Sequence, residues 1–394
     1  MKRSVYFRVD PRFTGSEQQW SHWINLWENV FQQDRMEVEF LTFDHARSEG
    51  QSKCDQFFAR KKKDTSASFL INLTFPEYFY RVEGVACGGL FLGSCESLPS
   101  EWYKKFREMD FIIAFSQWNE DAVKRRLSEK NVFTIPFPVA KEGQGIPSSP
   151  LLLHDADLAI LKGDYRYSIV DPPRSFEGNP LFFAETRLSP QDGFPVLLSE
   201  WFLYKKKGGA GNVIISITPK GNSARKDAKI CDLVDSIFRL MRRNRLSHSG
   251  IYLLLDGLSG GQKTSLFSIV DAMISVSHEG GLISENTFDL LEMGKPIIVP
   301  NHSDVADILP SDYSLTVPWR SENCSFDDSE NLVPVTARWF VVEEGGLVDA
   351  LDRFCSMTEE TKKGLACGVR KNILTRYSES TILGKIASFV RALS

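Results

Sequence analysis

Val270-Asp271-Ala272-Met273-Ile274-Ser275-Val276-Ser277-His278-Glu279-Gly280-Gly281, followed two residues later by Ser284-Glu285-Asn286-Thr287-Phe288-Asp289-Leu290-Leu291-Glu292-Met293-Gly294-Lys295-Pro296-Ile297-Ile298-Val299-Pro300, decides the fold. An apolar strand runs into a Gly-rich turn that holds an acid, a helix opens on a polar run, and Gly-Lys-Pro leads into the next strand. That order is one strand–helix–strand unit of a parallel sheet. The Gly280-Gly281 turn and the helix end near Asn286 bring backbone N–H groups together, where the helix dipole favours an anion such as a diphosphate. An acid one or two turns into the helix, Asp289 or Glu292, is placed to take a ribose or sugar diol. An ordinary βα turn with solvated acids has the same pattern.

The alternation of short apolar strands and amphipathic helices extends in both directions. Toward the N-terminus, strands are expected at Ser4 to Val9, Glu37 to Phe43, Phe69 to Leu73, Gly89 to Leu92, Phe111 to Phe115 and Val132 to Ile135. Helices are expected at Trp20 to Phe31, Ser100 to Met109 and Asn119 to Ser128. From Lys141 to Pro180, Gly-Gln-Gly, Pro-Ser-Ser-Pro, Asp-Pro-Pro and Gly-Asn-Pro mark turns, and the stretch reads as a linker and irregular insert. Strands then resume at Leu181 to Ala184, Val213 to Ile217, Ile251 to Leu255, Ala272 to Val276 and Pro296 to Val299. The helices between them fall at Phe194 to Tyr204, Ile230 to Arg242, Lys263 to Ile269 and Asn286 to Glu292. Ile382, Ile386, Phe389 and Val390 share one face of a closing helix. The expected organisation is a doubly wound domain over 1–140, a linker over 141–180, a second such domain over 181–375 and a helix over 376–394 that packs back on the first. Open parallel sheets bind ligands beyond the carboxyl ends of their strands, so the cleft between two such domains is the expected site.

Composition narrows the classes. Among 394 residues, 42 % are apolar and 25 % charged, which fits a folded globular chain rather than disorder or a fibre. A net charge of −4 supplies no basic excess for nucleic acid. The seven cysteines are scattered without a C-x-x-C pair, which fits neither a disulfide framework nor a zinc site and points to the cytoplasm. Arg8 interrupts the first apolar run before signal-peptide length, and no stretch reaches the roughly 18 apolar residues of a membrane span. Membrane association, if any, is then peripheral, through runs such as Lys61-Lys62-Lys63, Lys205-Lys206-Lys207 or Arg242-Arg243-Asn244-Arg245 at the inner face.

The segments taken together resemble the GT-B glycosyltransferases, in particular the large retaining family (glycosyltransferase family 4-like). The family's aspartate and strand before a Ser-x-x-Glu-Gly turn, and its Glu-Ala-Met-Ala-x-Gly-x-Pro-Val-Ile segment, are similar to Asp271-Ala272 through Asp289-Leu290-Leu291-Glu292-Met293-Gly294-Lys295-Pro296-Ile297-Ile298. Leu258 to Phe267 resembles its Leu-Ser-x-x-x-Leu-x-x-Leu-Tyr lead-in. Phe183-Ala184-Glu185-Thr186-Arg187-Leu188-Ser189-Pro190-Gln191-Asp192-Gly193 resembles its Gly-Arg-Leu-x-x-x-Lys-Gly turn. In the first half, Cys95 to Trp102, Asp110 to Trp118 and Val132 to Val139 match its Leu-Pro-x-x-Trp, Asp-x-Ile-Ile-x-x-Ser and closing-strand segments. The resemblance implies two Rossmann-like doubly wound domains facing each other across a cleft. It also implies transfer of a sugar, with retention, from a nucleotide-sugar donor to a glycan, lipid-linked sugar or protein acceptor in carbohydrate biosynthesis, without a metal or other cofactor.

Carried over residue by residue, the family's two glutamates, eight apart, fall on Gly281 and Asp289. The nearest acid to the first is Glu279, the candidate catalytic residue, which stands two positions early. The diphosphate-binding Arg and Lys fall on Arg187 and Asp192, and an aspartate opposes phosphate rather than neutralising it. Lys220, Arg225 and Lys226 are candidates for the missing cation, with a solvated loop as the other reading. Gly280, Gly281, Asn286, Asp289 and Glu292 complete the donor set. Phe7-Arg8-Val9-Asp10 also resembles the start of a nucleotide-sugar hydrolase of nonulosonate synthesis. The following Gly15 and Ser16 are placed to approach the donor phosphates, with His22 a packing residue or a further candidate. Asp327-Asp328 reads as a loop and not a metal site. The leading expectation is a hexosyltransferase-like enzyme. The altered Glu pair and the missing Lys motivate the other expectation, a non-catalytic subunit that binds a nucleotide sugar or a partner glycosyltransferase.

Overall fold

The structure, a computed structural model, describes residues 3–9, 18–42, 68–91, 97–138, 159–162, 166–169, 178–186, 192–217, 232, 235–237, 239–240, 242–245, 250–254, 260–278, 284–323 and 338–393. They form two compact units. The first comprises residues 1–143, 323–338 and 373–394, and the second 144–322 and 339–372.

In the first unit, β1 (Arg3–Val9), α1 (Gln18–Gln33), β2 (Met36–Thr42), β3 (Ser68–Leu73), β4 (Ala86–Phe91), α2 (Ser100–Glu108), β5 (Phe111–Ala114), α3 (Gln117–Lys124) and β6 (Asn131–Thr134) alternate along the chain. The strands make one parallel sheet in the order β2-β1-β3-β4-β5-β6. Trp23, Trp27 and Phe31 recur at helical spacing on α1 and are buried. The final helix, α10 (Glu379–Leu393), lies in this unit, with Phe389 against Trp27 and Phe111 at ring separations of 5.2 and 5.1 Å. Burying side chains of this size stabilises by about 1.5–3 kcal/mol each.

The second unit carries β7 (Ala159–Lys162), β8 (Arg166–Ile169), β9 (Leu181–Thr186), α4 (Phe194–Lys206), β10 (Asn212–Ile217), β11 (Ile251–Leu254), α5 (Gly260–Ile269), β12 (Ala272–Ile274), α6 (Glu285–Glu292), β13 (Ile297–Pro300), α7 (Ser303–Ile308) and β14 (Thr316–Val317). Its sheet runs β14-β13-β12-β9-β10-β11-β7-β8. Six of these strands are parallel, and β7 and β8 add an antiparallel hairpin at the β11 edge. The hairpin lies inside the stretch read as irregular insert. Its two four-residue strands are too short for periodicity to stand out among the Pro and Gly turns. Leu181 to Ala184, Val213 to Ile215 and Ile251 to Leu254 are unbroken buried runs, as strands covered on both faces must be.

After β14 come the strand pair β15 (Trp319–Asn323) and β16 (Arg338–Val342), then α8 (Gly346–Ser356) and α9 (Glu359–Tyr377). The helix expected over Ile230 to Arg242 falls on partly described residues, of which 232, 235–237, 239–240 and 242–244 are helical. In both units the strand order reverses beside the first strand. In the second unit the chain runs outward from β9 through β10 to β11, then returns to place β12 on the other side of β9. The carboxyl ends of β9 and β12 therefore meet at a topological switch point, the usual place for a ligand in an open α/β sheet.

Candidate functional site

β9 and β12 are in register with Ala184 opposite Ile274, so Glu185 emerges next to the segment that leads from β12 toward α6. The Glu185 carboxylate accepts hydrogen bonds from Ser284 Oγ at 2.6 Å and from Asn286 Nδ2. Ser284 also caps α6, its Oγ accepting from Thr287 N at 3.2 Å. One turn further into α6, Asp289 pairs with Lys263 of α5 at 2.6 Å. Glu185, Ser284, Asn286, Asp289 and Lys263 thus tie β9, α5 and the start of α6 together at the switch point.

Burial shifts the Glu185 carboxyl above its ordinary range, because a desolvated carboxylate is disfavoured. The hydrogen bonds from Ser284 and Asn286 and the charge of Lys263 oppose that rise, while Asp192 adds to it. Thr186, the last residue of β9, donates its hydroxyl to Asp192 at 3.2 Å. Gly193 follows in the left-handed region at φ 67°, and a Cβ there would stand 1.9 Å from the carbonyl oxygen of Val276. Only glycine lets the start of α4 press against the chain beyond β12.

The ends of β12 and β13 are sealed by two buried histidines. His278 Nδ1 lies 2.6 Å from the Phe340 carbonyl, which can only accept, so Nδ1 carries the proton. His302 stacks on the Phe340 ring at 4.0 Å and meets Trp319 edge-on at 5.8 Å. Burial lowers both histidines, His302 to about 3, so both are neutral near pH 7. They hold β15 and β16 against the strand ends.

Of the sequence-derived candidates, Asn286 and Asp289 converge here, while Glu292 turns toward a different neighbour. Its carboxyl is raised by burial, Arg370 of α9 opposes the rise, and Asp289 adds to it. Glu279, Gly280, Gly281, Arg187 and Lys220 lie outside the described residues, as do Gly15, Ser16, Arg225, Lys226 and the Asp327-Asp328 pair. His22 faces Glu379 of α10 at 3.4 Å, a surface contact on α1. The run Lys205-Lys206-Lys207, read as solvated, turns one member inward: Lys205 donates to the Gly211 carbonyl at 3.1 Å.

Glu185, Ser284 and Lys263 were not singled out from the sequence, although each lies inside a segment that was. The signal available was the Ser-x-x-Thr start of α6, a capping pattern in which a hydroxyl is fixed at the helix end. At the corresponding switch point of the first unit, Arg8 and Asn72 stand opposite each other on β1 and β3. Arg8 donates to the Tyr78 carbonyl at 2.6 Å, and Asn72 Nδ2 to the carbonyls of Tyr80 and Gly88 at 3.0 and 2.9 Å.

No protein-family model matches the chain, and no curated protein matches it in sequence. Solved structures match it in shape. A glycosyltransferase from Rickettsia africae ESF-5 is 12 % identical, with 100 % of this chain and 98 % of that one covered at a TM-score of 0.59. The Escherichia coli structure described as trehalose-6-phosphate bound with UDP-2-fluoro glucose is 11 % identical over 100 % and 99 %, at 0.64. Anabaena HepE in complex with UDP-glucose is 13 % identical over 99 % of both chains, at 0.57. The architecture is therefore the GT-B fold, with two Rossmann-like parallel α/β units in one chain. Among the described residues no group of His, Cys, Asp and Glu is arranged to hold a metal, and no helix is long and apolar enough to cross a membrane.

Proposed function

We propose that the chain is a nucleotide-sugar-dependent glycosyltransferase, hexosyltransferase-like, that takes its donor at the β9/β12 switch point and its acceptor in the first unit. The supporting observation is whole-chain likeness to structures bound with UDP-glucose and UDP-2-fluoro glucose. The polar groups gathered at the switch point agree with it. In this reading Asn286 and Asp289 take the ribose, and the family resemblance assigns diphosphate contacts to Gly280, Gly281, Arg187, Lys220, Gly15 and Ser16 and the catalytic role to Glu279. The glycosidic C–O bond to the diphosphate breaks, the acceptor hydroxyl bonds to the same carbon and gives up its proton, and the nucleoside diphosphate leaves. Backbone amides and cations stabilise the charge that grows on the leaving group, usually the largest catalytic contribution in such a site. Retention, the absence of a metal, a cytoplasmic setting with peripheral membrane contact, and a glycan, lipid-linked or protein acceptor all follow the family resemblance.

One observation favours a second reading. Asp289 is engaged by Lys263, and Asp192 stands where the resemblance places a lysine, which suits a non-catalytic subunit that binds a nucleotide sugar or a partner glycosyltransferase. A thermal-shift panel of nucleotide sugars followed by a donor-hydrolysis assay separates the readings. A ligand at 100 times its Kd stabilises by about 2.7 kcal/mol. A shift with turnover supports the enzyme and a shift without turnover the subunit. No shift with any donor contradicts nucleotide-sugar binding.

A further inference from the structure

The side-chain cap of α6 comes from Ser284, which accepts from Thr287 N, and Glu185 binds side chains around that cap. Glu185 is partly buried beside it and takes the two side-chain donors, Ser284 Oγ and Asn286 Nδ2, that stand at the mouth of the switch point. An anion bound at the start of α6 would meet that carboxylate as a like charge in a partly desolvated setting, where repulsion is less screened than in open water. The charged groups that bear on Glu185 are Lys263 from α5, which is already paired with Asp289, and Asp192 from the turn before α4, which adds to the repulsion. His278 is held neutral by burial and does not offset it.

We propose that Glu185 is a proton-operated positioning residue of the donor site: ionised, it holds Ser284 and Asn286 to itself and opposes a diphosphate, and on taking up one proton it admits one. The inference rests on the nucleotide-sugar reading above. Burial raises the carboxyl and so favours its protonated form, and the uptake balances as one proton from solvent per donor bound. The protonated acid can still accept from one of its two partners, leaving the other free for the ligand.

The test is calorimetric titration of the full chain with UDP-glucose, GDP-mannose and ADP-glucose from pH 5.5 to 8.5. The diphosphate diesters of these sugars do not titrate in that range, so a slope belongs to the protein. Affinity is expected to fall as pH rises, by at most tenfold per unit for a single proton. In buffers of different ionisation enthalpy the parent should take up protons on binding. Glu185→Gln keeps the size and hydrogen-bonding capacity of the side chain and should bind about tenfold more tightly than the parent at pH 8, with a flat profile. If Glu185 merely holds the loop in place, Glu185→Gln would weaken binding at every pH and leave the slope unchanged, which overturns the proposal. Binding by the parent with no pH dependence and no proton uptake overturns it as well, while leaving the nucleotide-sugar reading intact, and this needs no variant to fold. If none of the three donors binds at any pH, both fall.

Discussion

Two glutamates, Glu200 buried and Glu185 partly buried, sit at two helix starts of the second unit, and they do different things. α8 begins after Gly345, at φ 79° and with no side chain to cap it; Glu200 of α4 reaches over and accepts from the amides of Gly345 at 2.8 Å and Val348 at 3.4 Å. That carboxylate completes a helix end that its own sequence leaves open. α6 begins with Ser284, which caps it from within, and Glu185 binds the hydroxyl and amide side chains around that cap instead of backbone amides. The first glutamate lies between packed helices, the second at the carboxyl end of a switch-point strand. The same residue type is a structural fastener in one place and, in the other, a carboxyl at the strand end where the proposed donor site lies.

Five substitutions at four positions probe the contrast. Glu200→Ala should cost about 3 kcal/mol, since hydrogen bonds to a buried charge are lost and two amides are left without an acceptor; Glu200→Gln, which keeps an acceptor, should cost clearly less in chemical denaturation. Equal losses from the two would mean that the cap itself contributes little. Next in size is Asp289→Asn, compared with Glu292→Gln. The first removes the partner of Lys263 and, in the reading proposed above, a ribose acceptor; the second removes only a carboxyl beside Arg370. Nucleotide-sugar affinity should differ between them by at least tenfold, with Asp289→Asn the weaker, and similar affinities would remove Asp289 from the site. The smallest effect is on stability against pH. The folded-state Glu185 carboxyl is raised, so above the unfolded carboxyl's ordinary range of about 4.5 the folded chain holds the extra proton, and stability falls as pH rises through the folded value. Glu185→Gln should flatten that part of the denaturation profile by no more than about 1.4 kcal/mol per pH unit. An equally steep profile in Glu185→Gln would mean that another group carries the pH dependence.

Much of this was legible in the residues. Continuous β-branched and aromatic runs such as Leu181 to Ala184 and Ile251 to Leu255 mark buried parallel strands, and both end within two residues of where the structure ends them. Gly193, read in the turn before α4, proved to be a position that only glycine fills. The strands Ala159–Lys162 and Arg166–Ile169 were hidden because two four-residue strands are too short for a period to show, and β15 and β16 because Trp319 to Asn323 alternates weakly among charged residues. Within the site, Asn286 and Asp289 were readable because an acid or amide in a first helical turn has a simple geometry. Glu185 was not, because nothing in Ala184-Glu185-Thr186 tells a solvated strand-end glutamate from one folded under a helix start 99 residues further on. That pairing is a consequence of the switch in strand order, which local sequence does not encode.

The central claim is that a nucleotide diphosphate sugar binds at the β9/β12 switch point of the second unit. Amide hydrogen exchange of the full chain, with and without the donor that gives the largest thermal shift, tests it most directly. The account predicts slowed exchange in residues 284–292 and at the end of β9, with residues 68–91 of the first unit unchanged by donor alone. Slowed exchange confined to the first unit, or none in residues 284–292 at saturating donor, would contradict it.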